Sequence, residues 1–338
     1  WGGDGFQAVF NPDDPDIYYF ETQYGNINYT SDGGKNFFSG DEGLAGETKN
    51  WDMPYMLSPH DPFVMYAGTD KLFRSNTGSP EPFYEQMTDS LTEETNSAQH
   101  TISTLDESPL VVGQVYVGTT DGNVWRTQFD GFFHTSVNVS AGLPDRYVTS
   151  IKASPTLANT VFVTHSGYRY NEYFPRIHRS DDGGSHWIDI SGNLPDVAIN
   201  DVFIIPERGD SVLFVATDGG VYGTIDNGNK WERLGVNMPI IPVQDLEFNV
   251  VNRELVAATY ARSIQSYDLN EILDETSAVE ETSKPFEIKT ALKISPNPAS
   301  DFVNLEFFNI ERGKTAHLVI LDIQGRLVFE KQINYILM

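Results

Sequence analysis

The chain has 338 residues, enough for more than one core, and carries 48 acidic against 22 basic side chains, a formal net charge of −26. That balance opposes a nucleic-acid partner and adsorption to anionic membranes, and zero cysteines exclude disulfides, thiolate catalysis and thiolate zinc sites. No apolar run reaches the ~18–20 residues of a membrane span and the seven histidines show no paired ligand spacing, so neither membrane insertion nor a metal or other cofactor is expected.

In chain order, one pattern recurs. A turn, usually with proline, leads into a β-rich run ending near Gly-Thr or Ala-Thr, at residues 10–22, 57–69, 107–119, 153–165, 205–217 and 249–259. Aligned on Tyr19, Tyr66, Tyr116, Phe162, Phe214 and Val256, the copies stand 47, 50, 46, 52 and 42 residues apart. A period of ~40–50 residues holding several short strands marks the blades of a propeller. One period reads as strands at 148–153, 160–164, 176–180 and 186–190, with aromatic or β-branched residues inside and Gly, Pro, Asn or Asp between. A lone four-stranded blade has too little core, so blades must pack face to face about an axis and close a ring to hide their edges.

The expected fold is therefore all-β, a β-propeller of four-stranded blades over residues 1–267 with six blades visible. The last period offers strands near 245–248, 254–259 and 263–267 but no fourth, so the missing strand, and a seventh blade of the intact protein, would come from upstream. Because Trp1 falls inside the pattern, the chain reads as a fragment or processed product whose open edge favours association.

Three segments share a tighter spacing: Ser or Thr, any residue, Asp, any residue, Gly, two residues, aromatic. They are residues 30–37, 180–187 and 224–231. Asp32, Asp182 and Asp226 can accept hydrogen bonds from their own turns, while Gly34, Gly184 and Gly228 supply the positive φ, which makes these carboxylates structural. The aromatics Phe37, Trp187 and Trp231 are expected to fold back under the sheet. This is the Asp box, or BNR repeat, and residues 1–267 resemble the Asp-box propellers, a group that includes bacterial sialidases, xyloglucanases and sortilin-type receptors. The resemblance implies a fold and is nearly silent on activity.

Residues 268–290 are acidic and aromatic-poor and carry Pro285, reading as a short helix at 269–274 and then a linker. Residues 291–338 alternate apolar and polar (Val303, Leu305, Phe307; Leu318, Ile320; Leu327, Phe329) around Gly313 and Gly325, the pattern of a partial small β-sandwich. The runs ISPNPASDFVNLEF from Ile294 and VILDIQGRLVFEKQI from Val319, with their Pro-Asn-Pro and Asp-x-x-Gly-Arg elements, resemble the type A C-terminal sorting domain of the type IX secretion system of Bacteroidetes-type bacteria. The family's closing Gly-x-Tyr and basic strands are replaced by INYILM. This resemblance implies export to the medium or the outer cell surface, with the type IX machinery as a partner.

Strand alternation sorts the loops onto two faces, with the Asp boxes and proline turns on one. The opposite face collects the loops after each second strand and the connections between blades. Its longest loop, residues 166–175, holds Tyr168, Arg169, Tyr170, Glu172 and Tyr173, and Trp51 and Arg262 lie on the same face. Exposed rings there suit stacking on sugars, although they can equally pack the loop onto its blade. Glycosidase chemistry needs two carboxylates ~5–10 Å apart, for which the candidates on this face are Asp4, Asp52, Asp70, Asp121, Glu172 and Asp218, with Asp4, Asp52 and Asp218 foremost; Asp70, Asp121 and Asp218 recur at one blade position, as a repeated turn residue would. Where xyloglucanases place a catalytic Asp after Thr, this chain has Thr22 followed by Gln23, and the sialidase Phe/Tyr-Arg-Ile-Pro motif is scrambled to FPRI at 174–177. The reading is an exported propeller that recognises a polysaccharide or a protein ligand on its acidic, aromatic face, the alternatives being a glycoside hydrolase and a structural surface protein.

Overall fold

A computed structural model of the chain describes residues 2–75, 80–94, 97, 99–235, 238–274, 291–295, 304–308, 315–321 and 327–334. It divides into two compact units, Trp1–Glu275 and Thr276–Met338.

The first unit is a six-bladed propeller. Its antiparallel sheets follow chain order: β1 (Gly5–Phe10), β2 (Tyr18–Thr22), β3 (Asn26–Thr30) and β4 (Phe38–Ser39); β5 (Tyr55–Leu57), β6 (Met65–Gly68), β7 (Leu72–Ser75) and β8 (Tyr84–Gln86); β9 (Ile102–Glu107), β10 (Gln114–Thr119), β11 (Val124–Phe129) and β12 (His134–Asn138). Then come β13 (Tyr147–Ala153), β14 (Val161–Ser166), β15 (Ile177–Ser180) and β16 (Ile188–Asp189); β17 (Ile199–Ile204), β18 (Leu213–Thr217), β19 (Gly220–Thr224) and β20 (Glu232–Arg233); and β21 (Val243–Asn249), β22 (Glu254–Thr259) and β23 (Ser263–Asp268). Successive first strands contact one another, which places them innermost. Five blades have four strands, and no described residue adds a fourth strand to the sixth.

The residues that align the repeat are the ones that join the blades. Tyr19, Tyr66, Tyr116, Phe162 and Phe214 are all at most 1% exposed, and each sits in a separate apolar cluster built from two consecutive blades. Burial of each such ring contributes roughly 1.5–3 kcal/mol. The sixth copy, Val256, is only half-buried, and among the described residues no sixth cluster joins the last blade to the first. In the fifth cluster Leu269 and Leu273, from helix α1 (Asn270–Asp274) and the residue before it, join Phe214 and Leu246, so the propeller unit includes this helix.

Inner strands have a free edge, and polar side chains of the preceding blade cover it. Ser103 Oγ donates to the Val148 carbonyl (2.6 Å), Thr149 Oγ1 to Ile199 (2.9 Å) and Asn200 Nδ2 to Val243 (2.8 Å), one step per blade from the third to the sixth. Asp106 Oδ2 accepts from the Ala153 amide at 2.8 Å, and Asp201 Oδ2 from Leu246 at 3.1 Å. The Gly-Thr ends of the repeat have two separate causes. At Gly118 a Cβ would stand 2.4 Å from Val148 of the next blade, and at Gly68 2.6 Å from Ile102. Thr69, Thr119 and Thr217 are fully buried and turn their hydroxyls onto amides of the following hairpin, at Lys71 (3.0 Å), Asn123 (2.9 Å) and Gly219 (3.0 Å).

In the three repeated turns, Asp32 Oδ1 accepts from the amides of Lys35 and Asn36 at 2.9 Å, Asp182 Oδ1 from His186 at 2.9 Å, and Asp226 Oδ1 from Lys230 at 3.0 Å. The first residue of each turn bridges: Thr30, Ser180 and Thr224 donate to the Asp and accept from the Gly amide. The aromatics do not fold under their own sheet in two of the three cases. Trp187 Nε1 donates to the Val139 carbonyl (2.7 Å) and Trp231 Nε1 to Ile190 (2.9 Å), each tying its blade to the one before. Phe37, without a donor, rests on Tyr18 and Phe20 of its own blade.

The second unit contains two antiparallel hairpins, β24 (Ala291–Ser295) with β25 (Asn304–Phe308) and β26 (Thr315–Leu321) with β27 (Leu327–Asn334). Trp1, the linker at 275–290, the Pro-Asn-Pro and Asp-x-x-Gly-Arg elements and the INYILM end past Asn334 lie outside the described residues.

Two substitutions test this account. Gly118→Ala forces overpacking between the third and fourth blades and should cost about 1–3 kcal/mol, read as a lower urea midpoint. Asp182→Ala strips the acceptor from its turn and should lower the melting temperature; a loss of ligand binding with unchanged melting would instead give this carboxylate a functional role.

Candidate functional site

The face opposite those turns is organised by the connection from β4 to β5, which carries Asn50, Trp51 and Asp52 across it. Trp51, 46% exposed, meets Tyr24 edge-on at 4.9 Å and Phe6 at 6.1 Å. Tyr24 takes a left-handed φ of 62° that lets its amide donate to the Trp51 carbonyl (2.9 Å), so ring and backbone are fixed together. At the start of β13, burial pushes up the Tyr147 hydroxyl, and Asn50, Arg169 and Asp52 are close enough to act on it. The Arg169 guanidinium covers the Tyr147 ring at 4.8 Å. The Trp51 segment and the long loop of the fourth blade therefore both come near Tyr147, the loop through Arg169 over its ring.

That loop is clamped by charge. A 3-10 turn, Tyr168–Tyr170, is closed by Asn171 at φ 56°. Behind it Glu172 accepts from Arg146 at 3.0 and 2.8 Å and from Arg176 at 2.6 Å. The hydrogen bonds from Arg146, then Arg176, hold its carboxyl down to about 2. Glu172 is thus engaged inward instead of offering its carboxylate to a ligand. The Arg146 guanidinium also covers one face of Tyr170 at 4.3 Å, so this ring is partly supported where the sequence suggested a free loop tip. With the backbone pinned by ions, the rings need not pack inward: Tyr168, Tyr170 and Tyr173 remain 64, 61 and 46% exposed, with Tyr168 edge-on to Tyr173 at 6.3 Å. Beneath the loop His165 is fully buried with neither ring nitrogen partnered among the described residues, and burial, with His178 and Arg176, pushes it down to about 3. It is neutral at physiological pH.

The predicted catalytic candidates do not converge by any described contact. Asp4 accepts from Gln23 Nε2 (3.0 Å) and Asp218 from Asn200 Nδ2 (3.0 Å). Asp121 accepts from the Glu93 amide (2.7 Å) with His100 at 3.3 Å, and Asp70 is fully buried. Asp52 stands apart: lost solvation and the nearby Asp245 raise its pKa. Arg262 lies in the exposed β22–β23 hairpin, with no described contact to the Tyr168–Tyr170 turn. Among the described residues no group of three or more His, Asp or Glu could hold a metal.

Sequence reasoning missed Glu21. It is 1% exposed, its Oε1 accepts from the amides of Met53 (2.9 Å) and Gly25 (3.2 Å), and burial, aided by Asp52, pushes it up to about 8. The signal was there: two residues past Tyr19, it takes the position held by Gly68, Gly118 and Ala216 in other copies. It is a protonated carboxyl at neutral pH, but too deep to reach a substrate, and it ties the end of the Trp51 segment at Met53 to the β2–β3 turn at Gly25.

Residues 293–336 match the secretion system C-terminal sorting domain, which indicates secretion or a cell-surface location. No curated protein matches the chain. Among solved structures, the chain resembles PorZ, a surface component of the type-IX secretion system of Porphyromonas gingivalis, at TM-score 0.60 and 16% identity, over 99% of this chain and 48% of PorZ. A GH74 enzyme of Niastella koreensis matches at TM-score 0.54 and 13% identity, over 77% of this chain and 42% of the enzyme. YCF48 bound to D1 peptide matches at 0.53 and 12%, over 75% of each. The chain thus spans less than half the length of PorZ and of the GH74 enzyme, and at these identities the likeness is one of fold. No described helix is long and apolar enough to cross a membrane.

Glu21 carries a pH signature. Its folded pKa of about 8 exceeds the ordinary 4.5, so the folded state holds an extra proton between these values and stability falls as pH rises through that window. Glu21→Gln should match wild type near pH 4.5 and exceed it above pH 8 by an amount on the order of 5 kcal/mol. Parallel melting-pH curves for the two proteins would disprove it.

Proposed function

We propose that this chain is an exported propeller that binds a carbohydrate on the face carrying Trp51 and the Tyr168–Tyr170 turn. The observation that carries the reading is the set of partly exposed rings, Tyr24 and Trp51 on the segment that comes near Tyr147 and, beside Arg169, Tyr170, Tyr168 and Tyr173. Flat rings with one free face, held from below by guanidinium groups, favour stacking on pyranose rings, and Arg169 and Asp52 at the margin supply polar orientation. Recognition is favoured over hydrolysis because Asp4 and Asp218 are engaged by amide donors and Glu21 is sealed, so that a hydrolase would have to work with Asp52 and the nearby Asp245. Export through the type IX machinery to the outer surface or medium is part of the same proposal, resting on the tail.

A panel of plant, algal and bacterial polysaccharides, scored for retention and for reducing-end release, tests it. Trp51→Ala and Tyr170→Ala should each weaken retention by ~1 kcal/mol or more with melting unchanged. Undiminished retention in both variants would remove this face from the site. Reducing-end release that stops in Asp52→Asn, with retention kept, would establish the hydrolase instead.

A further inference from the structure

The outermost strand of each blade leaves a row of backbone groups open, and the chain treats these edges unequally. Of the five described outer strands, β4, β16 and β20 are two residues long, the last two carrying Asp189, Glu232 and Arg233. On β8 the Tyr84 amide donates to the Glu42 carbonyl at 2.9 Å, so the β4–β5 connection covers part of that edge. The exception is β12, five residues of His-Thr-Ser-Val-Asn that run along β11 without a bulge and contain no proline, lysine, arginine or carboxylate. Its edge lacks the features that protect exposed strands from pairing.

The register identifies the open groups. At one end the Asp130 amide donates to the Phe133 carbonyl (3.1 Å), and at the other the Val139 amide donates to the Val124 carbonyl (2.8 Å). Bonded residues alternate along an antiparallel pair, so Thr135 and Val137 bond to β11, whereas His134, Ser136 and Asn138 turn amide and carbonyl outward. Among the described residues no strand pairs with this side of β12.

A second observation adjoins the edge. The hairpin tip before β12 carries Phe132 and Phe133, 89 and 75% exposed. They are held there: Asp130 Oδ1 accepts from both amides, at 2.9 and 2.8 Å, and Gly131 supplies a φ of 98°. On the β9–β10 turn alongside, Val112 is also exposed, and Gln128 Nε2 donates to its carbonyl at 3.0 Å. Two adjacent phenyl rings fixed in water belong to no core and suit an anchor for another molecule.

The geometry points to β12 as a docking edge for an extended segment of a partner polypeptide, which adds a fifth strand to the third blade and sets an apolar side chain against Phe132 and Phe133. Outward amides and carbonyls at every second residue are matched along their length by another backbone in extended form, and this fixes the conformation of the occupant. Charge fixes the rest. A net charge of −26, with the Asp130 carboxylate at the tip, favours lysine or arginine beside the docked strand and opposes a second copy of this chain. Because β12 lies on the outside of the third blade, docking there is independent of carbohydrate binding.

The test is a titration of the full, isotope-labelled chain with the peptide Ac-Lys-Val-Thr-Phe-Thr-Val-Lys-NH2, following the backbone amide resonances of His134, Ser136 and Asn138. These should shift saturably. The same peptide N-methylated at Phe and at the Thr after it, which blocks both of its edges, should bind about tenfold or more weakly, and so should a version with glutamate in place of lysine. Replacing both rings, Phe132→Ser with Phe133→Ser, should weaken the parent peptide by a similar factor with melting unchanged, since neither ring is packed. Ser136→Pro removes one outward amide and none that bonds to β11, and should weaken it too. Equal affinity for the parent and N-methylated peptides, or for the lysine and glutamate versions, would overturn the assignment, as would undiminished binding in the double serine variant. Shifts confined to other amides, or none, would overturn it as well. Dimerisation of the wild-type chain that Ser136→Pro abolishes would give the edge to a second copy and refute the partner proposed.

Discussion

The inner strand of a propeller blade must satisfy backbone groups on an edge that no strand can cover. Here the covering groups are side chains of the neighbouring blade: hydroxyls and an amide at Ser103, Thr149 and Asn200, carboxylates at Asp106 and Asp201. This requirement places polar residues along the axis, where an apolar core would otherwise form, and it makes the axis acidic. Lys152 offsets part of that charge. The polar axis and the apolar blade interfaces are therefore two halves of one solution.

The same logic explains why the aromatic face stays open. A long loop is usually held by burying its large side chains, which would consume the rings. Arg146 and Arg176 gripping Glu172 supply the anchorage instead. Under the Trp51 segment, Glu21 does the equivalent with backbone amides. In both places a carboxyl takes up the structural work and aromatic surface is left over.

What the sequence made legible follows from periodicity. The six-fold recurrence and the residue at its centre, Tyr19 through Phe214, locate the blades and their cores, because one position facing the next blade must be large and apolar every time. Gly68 and Gly118 read only as part of a motif; that they clear space for the side chains of Ile102 and Val148 depends on residues 34 and 30 positions on in sequence but adjacent in space. The clamp on Glu172 and the sealing of Glu21 were beyond reach for the same reason, since each joins segments whose separation no local pattern encodes. The pairing of Trp187 and Trp231 with the preceding blade belongs with these: an indole N–H needs an acceptor when buried, but its identity is a matter of assembly.

Among the described residues five apolar interfaces join six blades in a chain of nearest-neighbour couplings, and such arrays lose structure from the ends where a unit has one neighbour in place of two. The third and fourth blades are flanked on both sides, whereas the first and sixth each rest on a single cluster. Amide protons of β10 and β14 should accordingly be the slowest to exchange with solvent and those of β1 and β23 the quickest, a gradient of local opening that runs outward through the propeller. The rings around Trp51 hang on the loosening first blade and those around Tyr170 on the tight fourth, so the two ends of one surface breathe at different rates.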